Sequence, residues 1–269
     1  MKMINVKRFL GIGKFTFKDH SAYRFDMFVW IILVPFFLIV EYFLWKTLFA
    51  ASGETVIRGF TFSAMITYYM MSHVTMSITH SNFDQRIANL VRSGKLVRYI
   101  TKPITYFRLC LFRNIWNSAF RAIKYATPVL IVGYFLIPNL DVNYINAGLY
   151  LISLILAMFL KFAYIFSFGL ISFWTKGYAG IRIVRNGVDG LLRGMLIPLI
   201  FFPVIFQKAF FFLPFQYMLY VPIQIFLGAY SYSEVLVMLG MQLLWTLIFM
   251  AIALTVWKKA FAKFMAVGT

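Results

Sequence analysis

The sequence predicts an all-α membrane protein of six transmembrane helices, and three observations predict it. Hydrophobic residues make up 62% of the chain and charged ones only 13%, against about 45–50% and about 25% in a soluble domain. Lipid, rather than water, must therefore cover the surface. The apolar residues come in long unbroken runs, which suit helices and not the short alternating strands of a barrel. The net charge of +18 sits in the gaps between those runs, as the positive-inside rule expects. That placement points to topology and anionic headgroups, with no nucleic acid as partner.

Residues 1–26 interleave Lys2, Lys7, Arg8, Lys14, Lys18 and Arg24 with Val6, Phe9, Leu10, Phe15 and Phe17. They read as a segment lying on the cytosolic leaflet, with Gly11 and Gly13 weakening a continuous helix. A first span over 27–49 follows. Its polar lead and its apolar run are both too long for a cleaved signal peptide. After a short outer loop with Gly53, Glu54 and Arg58, a second span over 56–80 carries Tyr69, His73, Ser77 and His80 at helical spacing.

Residues 82–103 are the one long polar break in the N-terminal half. Asn82 or Asp84 can cap a short helix and Gly94 can end it. Ile87, Leu90 and Val91 then make one small apolar face. Lys95 to Thr101, including Leu96, re-extends the chain, and Pro103 suits the first turn of the next helix. The run from Ile104 to Ile137 has Pro128 as its one strong breaker. At 1.5 Å per residue it would be roughly 51 Å long, more than the about 30 Å of hydrocarbon. Its first part, with Arg108, Arg113, Arg121 and Lys124, is expected along the inner face, and the third span over 118–137. Pro138 to Asp141 makes an outer turn.

The fourth span covers 147–174 and contains Lys161. An inner loop with Lys176, Arg182, Arg185 and Arg193 follows. Residues 194–228 are too many for one span and too few for two. Parity between Arg193 and the Lys258-Lys259 pair requires one crossing, which leaves the region about Leu213 to Pro222 as a re-entrant outer element. The sixth span covers 235–257. Of the 26 Lys and Arg residues, all but Lys46, Arg58, Lys161 and Lys208 fall on the inner side, so both termini are expected in the cytosol. Cys110, the single cysteine, reads as a small buried hydrophobe.

The chain has no Walker A loop for ATP, and Gly11 to Lys14 lacks its spacing. Zincin, dithiol and serine-elbow motifs are also missing. With eight acids in all, a catalytic carboxylate pair or di-metal site is not expected, and the chain is read as a non-enzyme that binds no cofactor. Ionisable residues inside lipid are functional candidates. Glu41 and Lys161 both fall at a depth of roughly 21 Å at 1.5 Å per residue, which predicts an ion pair between them. Glu41, His73, Ser77 and Lys161 are the candidates for a substrate pathway. An ion-coupled carrier or an intramembrane enzyme built on Glu41, Lys161, His73 and His80 is the competing reading.

The stretch Ile87, Gly94-Lys95-Leu96, Tyr99-Ile100-Thr101-Lys102-Pro103-Ile104 resembles a pattern of the permease subunits of prokaryotic type-2 ABC exporters. That pattern runs Ile, Gly-x-Leu, then Leu-x-Lys/Arg-Pro-Ile/Leu; Ile100 stands where the family usually has Leu. The order Pro198-Leu199, Phe202-Pro203, Leu213-Pro214-Phe215, Pro222, Gly228 resembles the family's fifth segment, and Trp257-Lys258-Lys259-Ala260 its final one. The likeness runs from about Tyr23 to Phe264. It implies a single permease domain in a prokaryotic plasma membrane, with residues 1–26 as an elbow helix, 82–103 as a cytosolic coupling loop and 208–228 as outer re-entrant helices. It further implies pairing with a second permease, identical or sister, and with two copies of a separate ATPase that holds ATP and Mg. Ile87, Leu90, Val91, Gly94, Lys95, Leu96 and Pro103 would then couple the chain to that ATPase.

Overall fold

The computed structural model describes residues 6–22, 24–99, 104–137, 142–175 and 177–267, and among them the chain is almost wholly helical. Helix α1 (Val6–Ala22) is continuous through both of its glycines. Gly13 serves a contact: a Cβ there would stand 2.5 Å from the Trp116 ring, whose Nε1 donates to the Phe9 carbonyl at 3.1 Å. Helix α2 (Arg24–Ser52) then runs the length of the molecule. It ends in a hairpin of two short strands, β1 (Val56–Ile57) and β2 (Phe60–Thr61), in register Val56 with Thr61 and Ile57 with Phe60. Arg58 and Gly59 at its tip both have positive φ (50° and 84°), the requirement of the tight hairpin turn that matches strand twist. Residues 56–61, expected to be helical, are thus a hairpin.

Helix α3 (Phe62–Thr79) is capped by the Thr61 side chain and buried on nearly every side from Met65 to Met71. A helix apolar all round belongs inside a bundle. Two of its hydroxyls bond back one turn, Thr67 to Ser63 and Thr79 to Thr75, and that of Thr75 meets Tyr150 Oη at 2.9 Å. Helix α4 (Phe83–Arg92) and a 3-10 turn over Lys95–Tyr99 form the polar break, so the residues after Gly94 coil where an extended chain was expected. Helix α5 (Tyr106–Arg121) passes through a five-residue π turn, Ala122–Ala126, into α6 (Thr127–Leu136). Pro128 explains the π turn: its ring would clash with the carbonyl four residues back, and a wider turn removes the conflict. The outer turn expected over 138–141 lies outside the described residues, as does Pro103.

Helix α7 (Tyr144–Leu170) is the central pillar, started by an Asn143 cap to the Ile145 and Asn146 amides. Helix α8 (Ala179–Leu192) follows, in the stretch expected to be an inner loop. Then come the short α9 (Val204–Phe211) and α10 (Tyr220–Phe226), and finally α11 (Tyr232–Val267). Ser153 meets Gln242 at 2.9 Å and, further along both helices, the Phe166 and Trp257 rings lie 6.0 Å apart. Helices α7 and α11 are therefore parallel, and the chain between them must travel back along the bundle. It does so in pieces: Asp189 beside Lys161, Gly194 beside Tyr68, and Gly228 beside Asn146 at the start of α7. Prolines 198, 203, 214 and 222 keep those pieces short. Val221, Ile223 and Ile225 of α10 are fully buried, so this segment is part of the core.

Among the described residues, four helical stretches are long and apolar enough to cross a membrane: Met27–Ser52, Tyr106–Leu136, Tyr144–Phe173 and Tyr232–Ala260. Three of them are little buried and the α7 stretch is mostly buried. This is an all-α, multi-pass membrane protein with α3 and α7 at its centre.

Candidate functional site

The polar break folds as one capped unit. Asn82 holds the N-cap position of α4 without a side-chain bond. Gly94 takes a φ of +68° just past the end, with its amide on the Val91 carbonyl at 3.2 Å. That is the left-handed conformation in which a helix stops and for which glycine has no steric penalty. Ile87 and Leu96 are fully buried, and Leu90 and Val91 pack against the same cluster of Phe83, Tyr106, Phe107, Phe166, Leu170 and Trp257. The apolar surface of Ile87 and Leu96 thus anchors α4 to the chain's own bundle, with Leu90 and Val91 half-buried beside it. The residues left outside are Asn82, Gln85, Asn89, Arg92, Ser93, Gly94, Lys95, Val97 and Arg98.

Asp84 is the pivot of the site. It sits in the first turn of α4 yet is 1% exposed, because its carboxylate is turned into the bundle. Tyr178 Oη donates to its Oδ2 at 2.8 Å, and Arg185 Nη1 of α8 lies 2.9 Å from the same oxygen. Burial and the Asp84 charge hold the Tyr178 phenol well above its ordinary pKa, so it stays a donor. Arg185 also reaches Asn186 at 2.8 Å, but its buried Nε finds no hydrogen-bond acceptor among the described residues, and Nη1 meets Asp84 off the bonding direction. The pair is charge against charge in a dry place. Arg182 of α8 bonds Gln85 of α4 alongside it.

A second tie joins α8 to α7. Lys161 Nζ donates to Asp189 Oδ2 at 2.5 Å and Tyr164 Oη to Oδ1 at 2.8 Å. Arg193 Nε donates to the Asp189 carbonyl at 3.0 Å. Arg185, Asp189 and Arg193 are spaced four apart, so one stripe of alternating charge runs down α8. Sliding α8 by one turn against α4 and α7 would set like charges together at both ties, so the stripe fixes its axial register.

Lys161 therefore does not pair with Glu41. Equal depth along two helices says nothing of azimuth, and the two face different neighbours. Glu41 Oε2 instead lies 2.9 Å from His73 Nε2, within the face of α3 singled out by His73, Ser77 and His80. His73 and Ser77 are half-buried and His80 is exposed at the end of that helix. Asp189 escaped the sequence reading, which took Asp84 for a helix cap and Arg185 for an inner-loop cation. The four-residue spacing of Arg185, Asp189 and Arg193 was the available signal, since it only has meaning on a helix. Among the described residues no group of His, Cys, Asp and Glu could hold a metal ion.

A family model described as ABC-2 family transporter protein matches residues 36–268. Searches of curated proteins and of solved structures found no match.

Proposed function

The chain belongs to the ABC-2 family of transporter proteins as a permease subunit, and from that premise we propose that it forms the substrate pathway of an ATP-driven exporter. ABC-2 membership implies pairing with an ATP-binding cassette ATPase. In this reading the chain crosses a prokaryotic plasma membrane six times, with α3 and the broken α8–α10 segment as the second and fifth crossings and both termini in the cytosol. Helix α1 is the elbow on the inner leaflet, residues 82–103 the coupling loop and 208–228 the outer element. Two permeases, identical or sister, pair with two ATPase copies, which hold ATP and Mg. Gly94, Lys95 and Pro103 shape the coupling loop, and Ile87, Leu90, Val91 and Leu96 seat it.

One observation carries the reading: α4 is tied to the bundle as a lever. Coupling between a motor and a distant pathway needs an element that moves as a unit. A buried ion pair, a buried phenol and an apolar face hold α4 to α7 and α8, and α8 is held in register by Lys161. A push on α4 is thereby delivered to α7 and α8, whose far ends border the core around Tyr68 and Tyr220. Nucleotide-dependent movement is the test. Distances between spin labels on α4 and α8 are expected to stay constant, and those between α8 and α2 to change, when ATP is added to the permease–ATPase complex. No change anywhere with ATP would sink the proposal.

The Glu41–His73 pair favours a second reading, an ion-coupled carrier, because a half-buried acid beside an imidazole can exchange a proton. Transport in vesicles that follows a proton gradient without nucleotide would establish it.

A further inference from the structure

His80 stands at the corner where α3 ends and the chain turns into α4, and it is exposed there. The charges of Arg121, Lys161, Arg193 and Arg185 all bear on its ring, so cations carried by α5, α7 and α8 and the turn after it converge on one open corner. Carboxylates do not cancel them in full. Lys161 and Arg193 share Asp189, at 2.5 and 4.0 Å, and Arg185 has Asp84 at 2.9 Å. Of these, more cations than acids meet. Among acids whose side chains are described, the rest are elsewhere: Asp19 faces Arg113, Glu41 faces His73, Glu54 lies just past α2 and Glu234 bonds Ser231. Two buried donors also lack an acceptor among the described residues. They are Ser81 Oγ, next to His80 in the chain, and Nε of Arg185, a residue 6% exposed.

We propose that this corner binds an oxyanion, a phosphate or phosphate-bearing group, and that the substrate of the pathway carries one. The first half stands on the cluster alone; the second rests on the permease reading above. A buried charge without its counter-charge is costly, and cations fixed on separate helices cannot move apart to relieve it. A phosphate supplies the missing negative charge together with several acceptor oxygens, which a guanidinium fork meets two at a time. Exposed His80 marks the side from which it enters. The corner adjoins both ties of α8, to α4 through Asp84 and to α7 through Asp189. An anion seated there adds contacts at the root of the lever, so substrate occupancy stiffens it.

The experiment titrates the full chain, in an uncharged detergent, with inorganic phosphate and separately with short-chain phosphatidylglycerol. Sodium chloride at equal ionic strength is the control. The His80 ring resonance is followed, assigned among the three histidines by its loss in His80→Gln. A saturable shift that chloride does not give is expected. Saturation by phosphate assigns a free oxyanion, and saturation by the lipid alone assigns a lipid headgroup as the source of the same group. Binding to variants is read from the ligand-dependent rise in the thermal transition. Arg193→Gln is expected to weaken it about 10-fold or more. His80→Glu places a carboxylate in the corner and is expected to abolish it while raising the transition of the free protein, which also shows that the variant folds. An equal response to chloride, no saturable shift with either probe, or His80→Glu and Arg193→Gln binding as tightly as the parent overturns the proposal. These readouts need neither ATPase nor nucleotide, so their failure leaves the permease reading standing. Failure of nucleotide-dependent movement removes only the claim that the anion is a substrate.

Discussion

Asp84 and Gly169 share one place: a Cβ on Gly169 of α7 would stand 2.7 Å from the Asp84 Cα and 3.0 Å from Ile87 Cδ1. Helix α4 therefore rests backbone to backbone on the last turn of the central pillar.

Gly169→Ala is expected to destabilise the protein by about 1–3 kcal/mol, although alanine is the better helix former by about 1 kcal/mol. The near atom is backbone and cannot swing aside, so the clash wins. Gly148→Ala, on the same helix with open space around it, is the control and is expected to be neutral or stabilising. Thermal unfolding in detergent distinguishes them. Equal transitions for the two variants would remove the close packing from the account.

Removing Asp84 is expected to be worse than removing the whole pair. Asp84→Asn leaves Arg185 charged and buried, a loss of about 3–5 kcal/mol. Asp84→Asn with Arg185→Gln discards both charges and is expected to recover most of it. The same measurement reads both. A double variant as unstable as the single would mean that the guanidinium is held by something other than Asp84.

Much of this fold was legible in the sequence, and the failures share one cause. Long apolar runs announced the stretches from Met27, Tyr106, Tyr144 and Tyr232. The stop of the short helix at Gly94 could be read because a left-handed end is local chemistry, although neither Asn82 nor Asp84 caps its start. What could not be read was partnership. Arg182, Arg185 and Arg193 read as loop cations because hydropathy sees a cation and not the acid that meets it, yet Arg185 is 6% exposed against Asp84. Ile87, Leu90 and Val91 were recognisable as a face, but periodicity says which residues lie together and not what they lie against. The return segment after Gly194 was opaque because its prolines break it below the length at which any period can be counted.

The intramembrane acid gives a direct test of azimuth over depth. Glu41 and His73 touch, so a double-mutant cycle of Glu41→Gln and His73→Gln is expected to show a coupling of about 0.5–3 kcal/mol. The cycle of Glu41→Gln with Lys161→Met is expected to be additive within about 0.5 kcal/mol, since Lys161 is engaged by Asp189. Coupling in the second cycle and additivity in the first would reinstate the pairing that equal depth suggests.

Gln242 joins three elements at the heart of the other half. Its Nε2 donates to the Ser153 carbonyl at 2.9 Å and to the Tyr217 carbonyl at 2.8 Å, while Ser153 Oγ donates to its Oε1 at 2.9 Å. The side chain is fully buried, and it fixes α11 against α7 and the turn that leads into α10. Interhelical polar bonds in membranes are individually modest, about 0.6 to 2 kcal/mol, because the separated helices also find partners. Gln242→Leu is therefore expected to destabilise by about 1–2 kcal/mol, and Ser153→Ala by less, since that change leaves both carbonyl contacts in place. If Gln242→Leu and Ser153→Ala prove equal, the bond to Ser153 Oγ carries the whole effect and the hold on Tyr217 contributes nothing.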